Sequence, residues 1–148
     1  METITIREAT AADVETVYAL ICELEQCELS RQGFQRAFDL QRSDERCRCL
    51  LAEDGARALA MLNMRMEWQL HHAARIAEVM ELVVVPAARS KGVGKRLLDA
   101  ARNIARAEGC AQIELESNRR RLDAHRFYLR EQMMQSHVGF TQPLPEEQ

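Results

Sequence analysis

The chain has 148 residues, a length that suits one compact domain spanning 1–148 and able to bury roughly 70% of its unfolded surface without disulfide or metal staples. Hydrophobic residues make up 47% and charged residues 29%, an ordinary globular balance. No apolar run approaches the ~20 residues needed to cross a bilayer. The formal charge of −3 gives no footprint for a nucleic-acid partner, so neither a membrane nor a nucleic acid is expected. Residues 1–10 alternate apolar and polar and lack the charged start and apolar core of a signal peptide, which points to the cytoplasm. Five cysteines, at 22, 27, 47, 49 and 110, are odd in number and irregular in spacing. That argues against a disulfide framework or a zinc pattern and suits a reducing compartment.

In chain order, residues 3–7 read as a first strand with Ile4 and Ile6 on one face. Thr10 and Asp13 form an approximate capping box, followed by Val14, Val17, Tyr18, Ile21 and Leu24 at helical spacing. Ser30 caps a second, short helix through Phe34 and Phe38. Residues 47–52 and 58–68 are two strands joined by the turn Glu53-Asp54-Gly55, an antiparallel hairpin. Residues 76–85 form the next strand. Its end, Leu82-Val83-Val84-Val85, is apolar on both faces and therefore predicted to lie centrally in the sheet. The clearest helix covers residues 92–108, with Val93, Leu97, Leu98, Ala101, Ile104 and Ala105 as its stripe and Gly109 as its stop. A strand over 112–116, a helix over 123–131 and a last strand over 136–141 complete a β-α-α-β-β-β-α-β-α-β order. The fold class is α/β, a central and mostly antiparallel mixed sheet flanked by helices.

The segment with chemistry in it is Arg89-Ser90-Lys91-Gly92-Val93-Gly94, between the apolar strand and the strongest helix. The first helical N–H groups have no internal partner and the macrodipole makes the site positive, so it binds anions. Gly92 and Gly94 let the backbone approach a ligand closely, and Arg89, Lys91, Lys95 and Arg96 add charge. The bland alternative is a glycine-softened loop with solvated cations. It is not a Walker A loop, because Arg96 follows Gly94-Lys95 where Ser or Thr would hold magnesium. Nor is it the dinucleotide fingerprint, because Leu97 stands where a third glycine belongs.

Val83-Val84-Val85-Pro86 followed by Arg89-x-x-Gly92-x-Gly94 resembles the acetyl-CoA signature of the GNAT family of N-acetyltransferases. Asn118 and Phe127-Tyr128 stand where that family has them. Further matches are residues 17–24, Leu70-His71-His72, Glu81-Leu82-Val83-Val84, residues 123–131 and Gln135-Ser136-His137. Together these resemble the aminoalkylphosphonate N-acetyltransferase branch. The resemblance implies a GNAT-like acyl-CoA N-acyltransferase fold that uses acetyl-CoA. Backbone amides of Ser90, Lys91, Gly92, Val93, Gly94 and Lys95, with Arg89 beside them, would hold the pyrophosphate. Leu82, Val83 and Val84 would offer main chain to the pantetheine arm, Asn118 would hydrogen-bond that arm, and Tyr128 would be the acid that protonates the departing thiolate. Taken alone, a Tyr in an amphipathic helix is more often core with its hydroxyl bonded.

A base is also required, because an alkylammonium with pKa near ~10 has no lone pair at neutral pH. Glu81 is preferred and Glu78 is the alternative. Three apart on one strand, they face opposite sides unless a β-bulge changes the phase. For the anionic end of an aminoalkylphosphonate the candidates are His71, His72, Arg65, Arg75 and His125, with Asp123 equally plausible as a helix cap. Through the resemblance a divalent cation is also implied, with no ligand set assigned, as is a homodimer. One departure stands out: Gln132-Met133 replace the family's usual Gly-aromatic pair after the Tyr128 helix, which leaves the helix exit without its left-handed glycine. The sequence therefore points to acetyl transfer onto a small primary amine, an aminoalkylphosphonate first. Other acceptors left open are a polyamine, an aminoglycoside, an amino acid, and a protein terminus or lysine. A non-catalytic coenzyme A binder is the reading from another class.

Overall fold

The computed structural model describes residues 3–146. Its contacts divide the chain into two compact units, Met1–Leu115 and Glu116–Gln148.

The first unit holds β1 (Ile4–Glu8), α1 (Val14–Glu25), α2 (Arg31–Arg42), β2 (Cys47–Asp54), β3 (Arg57–Gln69), β4 (Ala74–Val84), α3 (Val93–Ala107) and β5 (Gln112–Leu115). The strands form one sheet in the order β1-β2-β3-β4-β5. The first three pairings are antiparallel and the last, β4 with β5, is parallel. Alternation along each strand divides the sheet into two faces. Leu51, Met61 and Val83 are cross-strand partners and pack with Val17, Leu20 and Phe38 of α1 and α2. Leu50, Leu62 and Leu82, also in register, point the other way, where α3 lays its buried stripe of Val93, Leu97, Leu98, Ala101 and Ala105. The stripe follows the three-and-four spacing that the sequence shows.

α2 runs twelve residues, longer than the short helix expected. Ser30 Oγ accepts from the Gly33 N–H at 3.0 Å, a working N-cap. Phe34 and Phe38, one turn apart, stack at 6.0 Å, and Tyr18 of α1 meets Phe34 edge-on at 5.2 Å. This aromatic contact carries α2 across the sheet.

Two features of β4 bear on the sequence picture, the first correcting it and the second realising the bulge it allowed for. Pairing with β5 covers only Ile76–Val79, so the apolar run from Leu82 is flanked by β3 alone and is not central. β5 is four residues long and stops at Leu115, short of that run. The second feature is a bulge. Asn63 pairs with Glu81 and Met64 with Val79, which leaves Met80 as the extra residue.

In the second unit the regular element is α4 (Leu122–Arg130). No strand forms over residues 136–141, which corrects the last expected element. Val138 and Phe140 are largely exposed. Alternating apolar residues make a strand only where their amides meet another ladder, and this stretch takes no ladder bonds. No helix among the described residues is long and apolar enough to cross a membrane.

Candidate active site

The β4 bulge decides what faces the α1–α2 side. In a regular strand Glu78 and Glu81 would point apart. With Met80 inserted, Glu81 shares the face of its partner Asn63, and Glu78 shares that of Arg65, which is the same face. Both carboxylates therefore point one way. Glu78 lies 3.9 Å from Arg65 Nη2, whereas Asn63 Nδ2 donates to Glu81 Oε1 at 2.8 Å and to Gln41 Oε1 at 2.8 Å. Burial pushes the Glu81 carboxyl above the ordinary carboxylate range. The Asn63 hydrogen bond pulls it back in part, and the charges of Glu25 and Glu78 push it further up. A carboxylate raised toward neutrality is suited to take a proton from an ammonium and to release it again.

Glu81 and Asn63 line a cavity of about 330 Å³ between α2 and the sheet, with Gln41, Arg42, Phe38 and Cys49 among its other walls. The volume lies at the small end of ligand pockets, roughly 300–1,000 Å³. Cys47 and Cys49, two apart on β2, both reach this cavity, as their spacing predicts. Burial pushes the Cys49 thiol up to about 12 and also raises Cys47. Neither is a thiolate at neutral pH, so neither is an activated nucleophile.

On the same strand, main-chain groups past Val79 have no partner strand on the β5 side. Val84 and its neighbours Leu82 and Val83 thus offer an open edge, although the Val84 carbonyl already accepts from Arg89 Nε at 3.1 Å. The turn that follows places Ser90 at φ 66° and Gly92 at φ 80°, and α3 starts at Val93 with no side chain capping it. The amides of Val93, Gly94 and Lys95 lie in that uncapped first turn, and Lys91 is exposed beside them. An uncapped, amide-lined helix start beside an open strand edge fits an extended ligand that ends in a phosphate group.

In the second unit, Asn118 Oδ1 accepts from the Arg120 N–H at 2.9 Å. Its carbonyl accepts from the Arg121 N–H at 3.0 Å and lies 2.9 Å from His125 Nε2. His125 thus braces the loop before α4, and Asp123 is paired with Arg126. Tyr128 and Phe127 hold their rings 5.5 Å apart. Burial raises the Tyr128 phenol, opposed by the charge of Arg121, so it keeps its proton through neutral pH. Tyr18 OH donates to the Leu29 carbonyl at 2.6 Å, whereas the Tyr128 hydroxyl has no such bond among the described residues. The helix exit that lacks glycine forms all the same. Gln132 takes φ 66°, its N–H donates to the Leu129 carbonyl at 3.0 Å, and the Met133 N–H donates to the Tyr128 carbonyl at 3.1 Å. That is a full Schellman closure built on a glutamine.

The Acetyltransferase (GNAT) family model matches residues 14–132. The chain belongs to the GNAT acetyltransferase family. An aminoalkylphosphonate N-acetyltransferase of Salmonella typhimurium is 43% identical over 139 residues, 94% of this chain and 90% of that protein. A crystal structure from Bacillus halodurans described as a transcriptional regulator has TM-score 0.88 at 26% identity, covering 96% of this chain and all of the other. An aminoglycoside N-acetyltransferase in complex with CoA has TM-score 0.87 at 13% identity, with 97% and 96% covered, a likeness of fold alone. This GNAT protein is an acetyl-CoA dependent N-acetyltransferase, which sets aside the silent coenzyme A binder.

Of the remaining sequence candidates, the histidine pair lies far along the hairpin from Glu81, and Arg75 and Arg65 are ion-paired. His71 and His72 sit at the β3–β4 hairpin tip with rings 4.2 Å apart, and His72 Nδ1 lies 2.7 Å from Gln69 Oε1. Glu81 is about seven strand residues from that tip, on the order of 20 Å. Arg75 binds the Glu108 carbonyl at 3.0 Å and its carboxylate at 3.1 Å, closing the C-terminus of α3. Arg65 is 3.5 Å from Glu67 and 3.9 Å from Glu78. No three His, Cys, Asp or Glu side chains among the described residues form a metal-binding group. The donors among the described residues do not fit the divalent cation that the resemblance implies. Asn63 and Gln41 are absent from the sequence-derived site. The signal for Asn63 is its place in the otherwise apolar run Ala58–Met64; Gln41 carries none.

Proposed function

We propose that the protein transfers acetyl from acetyl-CoA to the primary amine of an aminoalkylphosphonate, with the whole chain, 1–148, acting as one acetyltransferase domain. The observation that carries the reading is Glu81: a half-buried carboxylate in a small cavity, raised above its ordinary range and held by Asn63. The choice of acceptor is supported by the relative named for aminoalkylphosphonates, 43% identical over nearly the full length of both chains.

Acetyl-CoA supplies the thioester. The α3 N-terminal amides and the turn residues 89–92 hold its pyrophosphate, the Leu82–Val84 edge and Asn118 hold its pantetheine arm, and Lys95 adds charge. Glu81, directly or through a water, takes the proton from the ammonium. The freed lone pair attacks the thioester carbonyl within one ternary complex, where proximity substitutes for an encounter, and a β4 amide stabilises the oxyanion. As the tetrahedral adduct collapses and its C–S bond breaks, Tyr128 gives its proton to the leaving sulfur, and the second proton on the attacking nitrogen is released as the amide forms and restores the phenol. Direct transfer agrees with the neutral cavity thiols, which offer no acyl-accepting side chain. Glu78, whose carboxylate lies 3.9 Å from Arg65, is the secondary base candidate.

The test is free-thiol release with acetyl-CoA over a panel of 2-aminoethylphosphonate, a diamine, an aminoglycoside, amino acids and a lysine peptide. The proposal expects the phosphonate to have the highest kcat/KM. A peptide or polyamine ahead of it by tenfold or more would reject the acceptor assignment.

A further inference from the structure

An acceptor with an amine at one end and an anion at the other needs a cation across the cavity from its base. The cations named for that task in the sequence are engaged with other groups: Arg65 lies beside Glu67 and Glu78, Arg75 is paired with Glu108, His72 of the hairpin-tip pair meets Gln69, and His125 meets the Asn118 carbonyl. Two other arginines line the cavity, Arg42 and Arg48. Arg48 is bound to Glu8 at 3.3 Å and Glu108 at 3.1 Å. Arg42 has no carboxylate partner among the described residues. Its guanidinium lies over the Phe38 ring, 6.0 Å from the centroid, which orients it without neutralising it.

The residue before it completes the arrangement. Gln41 gives its Oε1 to the Asn63 amide, so its NH2 end is turned away from that bond and has no partner among the described residues. Arg42 and Gln41 thus place unused N–H donors on the last turn of α2, opposite a cavity floor formed by Asn63 and Glu81. A guanidinium fork beside an amide NH2 matches the oxygens of a tetrahedral anion.

Resting on the acetyltransferase reading above, we infer that Arg42, assisted by the Gln41 amide, is the anion subsite of the acceptor pocket, so that a short aminoalkyl phosphonate lies with its amine at Glu81 and its phosphonate at the C-terminal turn of α2. Arg42 is exposed at the cavity mouth, where a solvated arginine favouring a helix C-terminus is the ordinary alternative. The two roles separate in substrate preference.

The experiment compares kcat/KM for 2-aminoethylphosphonate and for 1,3-diaminopropane, in wild type, Arg42→Glu and Arg42→Lys. Acetyl-CoA affinity and circular dichroism serve as folding controls. The expected result is a preference ratio, phosphonate over diamine, that falls at least 100-fold in Arg42→Glu, chiefly through KM for the phosphonate. Arg42→Lys should be intermediate, because it keeps the charge and loses the fork. A ratio within threefold of wild type in Arg42→Glu would overturn the subsite while leaving the acetyltransferase reading intact. Wild-type protein that acetylates the diamine but no anionic amine would overturn the subsite together with the aminoalkylphosphonate assignment. Loss of both substrates in equal proportion would assign Arg42 to the fold and reject the subsite.

Discussion

Asn63 Nδ2 donates to Glu81 Oε1 at 2.8 Å across the β3–β4 pair, at the step where Met80 interrupts the ladder. Asn63 is the one buried polar side chain among the described residues, 7% exposed. Its amide joins the carboxylate to Gln41 of α2, so the base, the bulge and the helix over the cavity are tied through one side chain.

Replacing Asn63 with Leu removes a bond that favours the ionised carboxylate. The Glu81 pKa then rises further, and the acidic limb of the kcat/KM profile moves to higher pH, with about tenfold loss at neutrality. Stability falls as well, because Gln41 Oε1 loses its donor, a cost of about 1–3 kcal/mol. Kinetics across pH, with urea melts, check both effects. An unmoved limb would remove Asn63 from the positioning of Glu81.

Glu81 also links pH to stability. Its folded-state pKa is raised, so the folded protein holds this proton more tightly than the unfolded chain, where Glu ionises near ~4.3. Stability is therefore lost as pH rises from that value through the folded pKa. Glu81→Gln cannot ionise. Its Tm should exceed that of wild type at pH 7, and the difference should vanish near pH 4. Equal melting curves at both pH values would show that the carboxylate carries no burial penalty.

Much of this was legible in the strings themselves. The α3 stripe and the glycine turn before it follow from spacing and backbone freedom, and both elements stand where the periodicity puts them. The cavity was not legible, because it arises when α2 crosses the sheet on the Tyr18–Phe34 contact, and nothing local in Gln41 or Arg42 announces that crossing. The bulge at Met80 has no glycine or proline to mark it. His71-His72 attracted attention through side-chain chemistry, yet their position is set by hairpin length, which puts them at the far end of β3 and β4. The last strand failed for the opposite reason: alternation was present and a pairing partner was not.

Gln132 adopts φ 66°, a conformation that costs a residue with a Cβ about 1–2 kcal/mol. Gln132→Gly relieves this strain but adds freedom to the unfolded chain, worth about 0.5–1 kcal/mol in the other direction. A net gain of about 0.5–1 kcal/mol is expected, read as an increase in Tm. A decrease would mean that the Gln132 side chain contributes more than the strain costs.

Tyr128→Phe keeps the ring and deletes the proton. If Tyr128 protonates the leaving sulfur, kcat should fall about 10²–10³-fold while acetyl-CoA affinity changes little. The loss should shrink with an acetyl donor whose thiol is more acidic, since a better leaving group needs less protonation. A uniform loss across donors would place the tyrosine in binding instead.

The pH dependence of kcat/KM in wild type, Glu78→Gln and Glu81→Gln tests the assignment of the base most directly. Wild type and Glu78→Gln should share an acidic limb above the ordinary carboxylate range. Glu81→Gln should lose that limb together with about 10²–10⁴-fold in rate. A Glu81→Gln enzyme with wild-type rates and an intact limb would contradict the account.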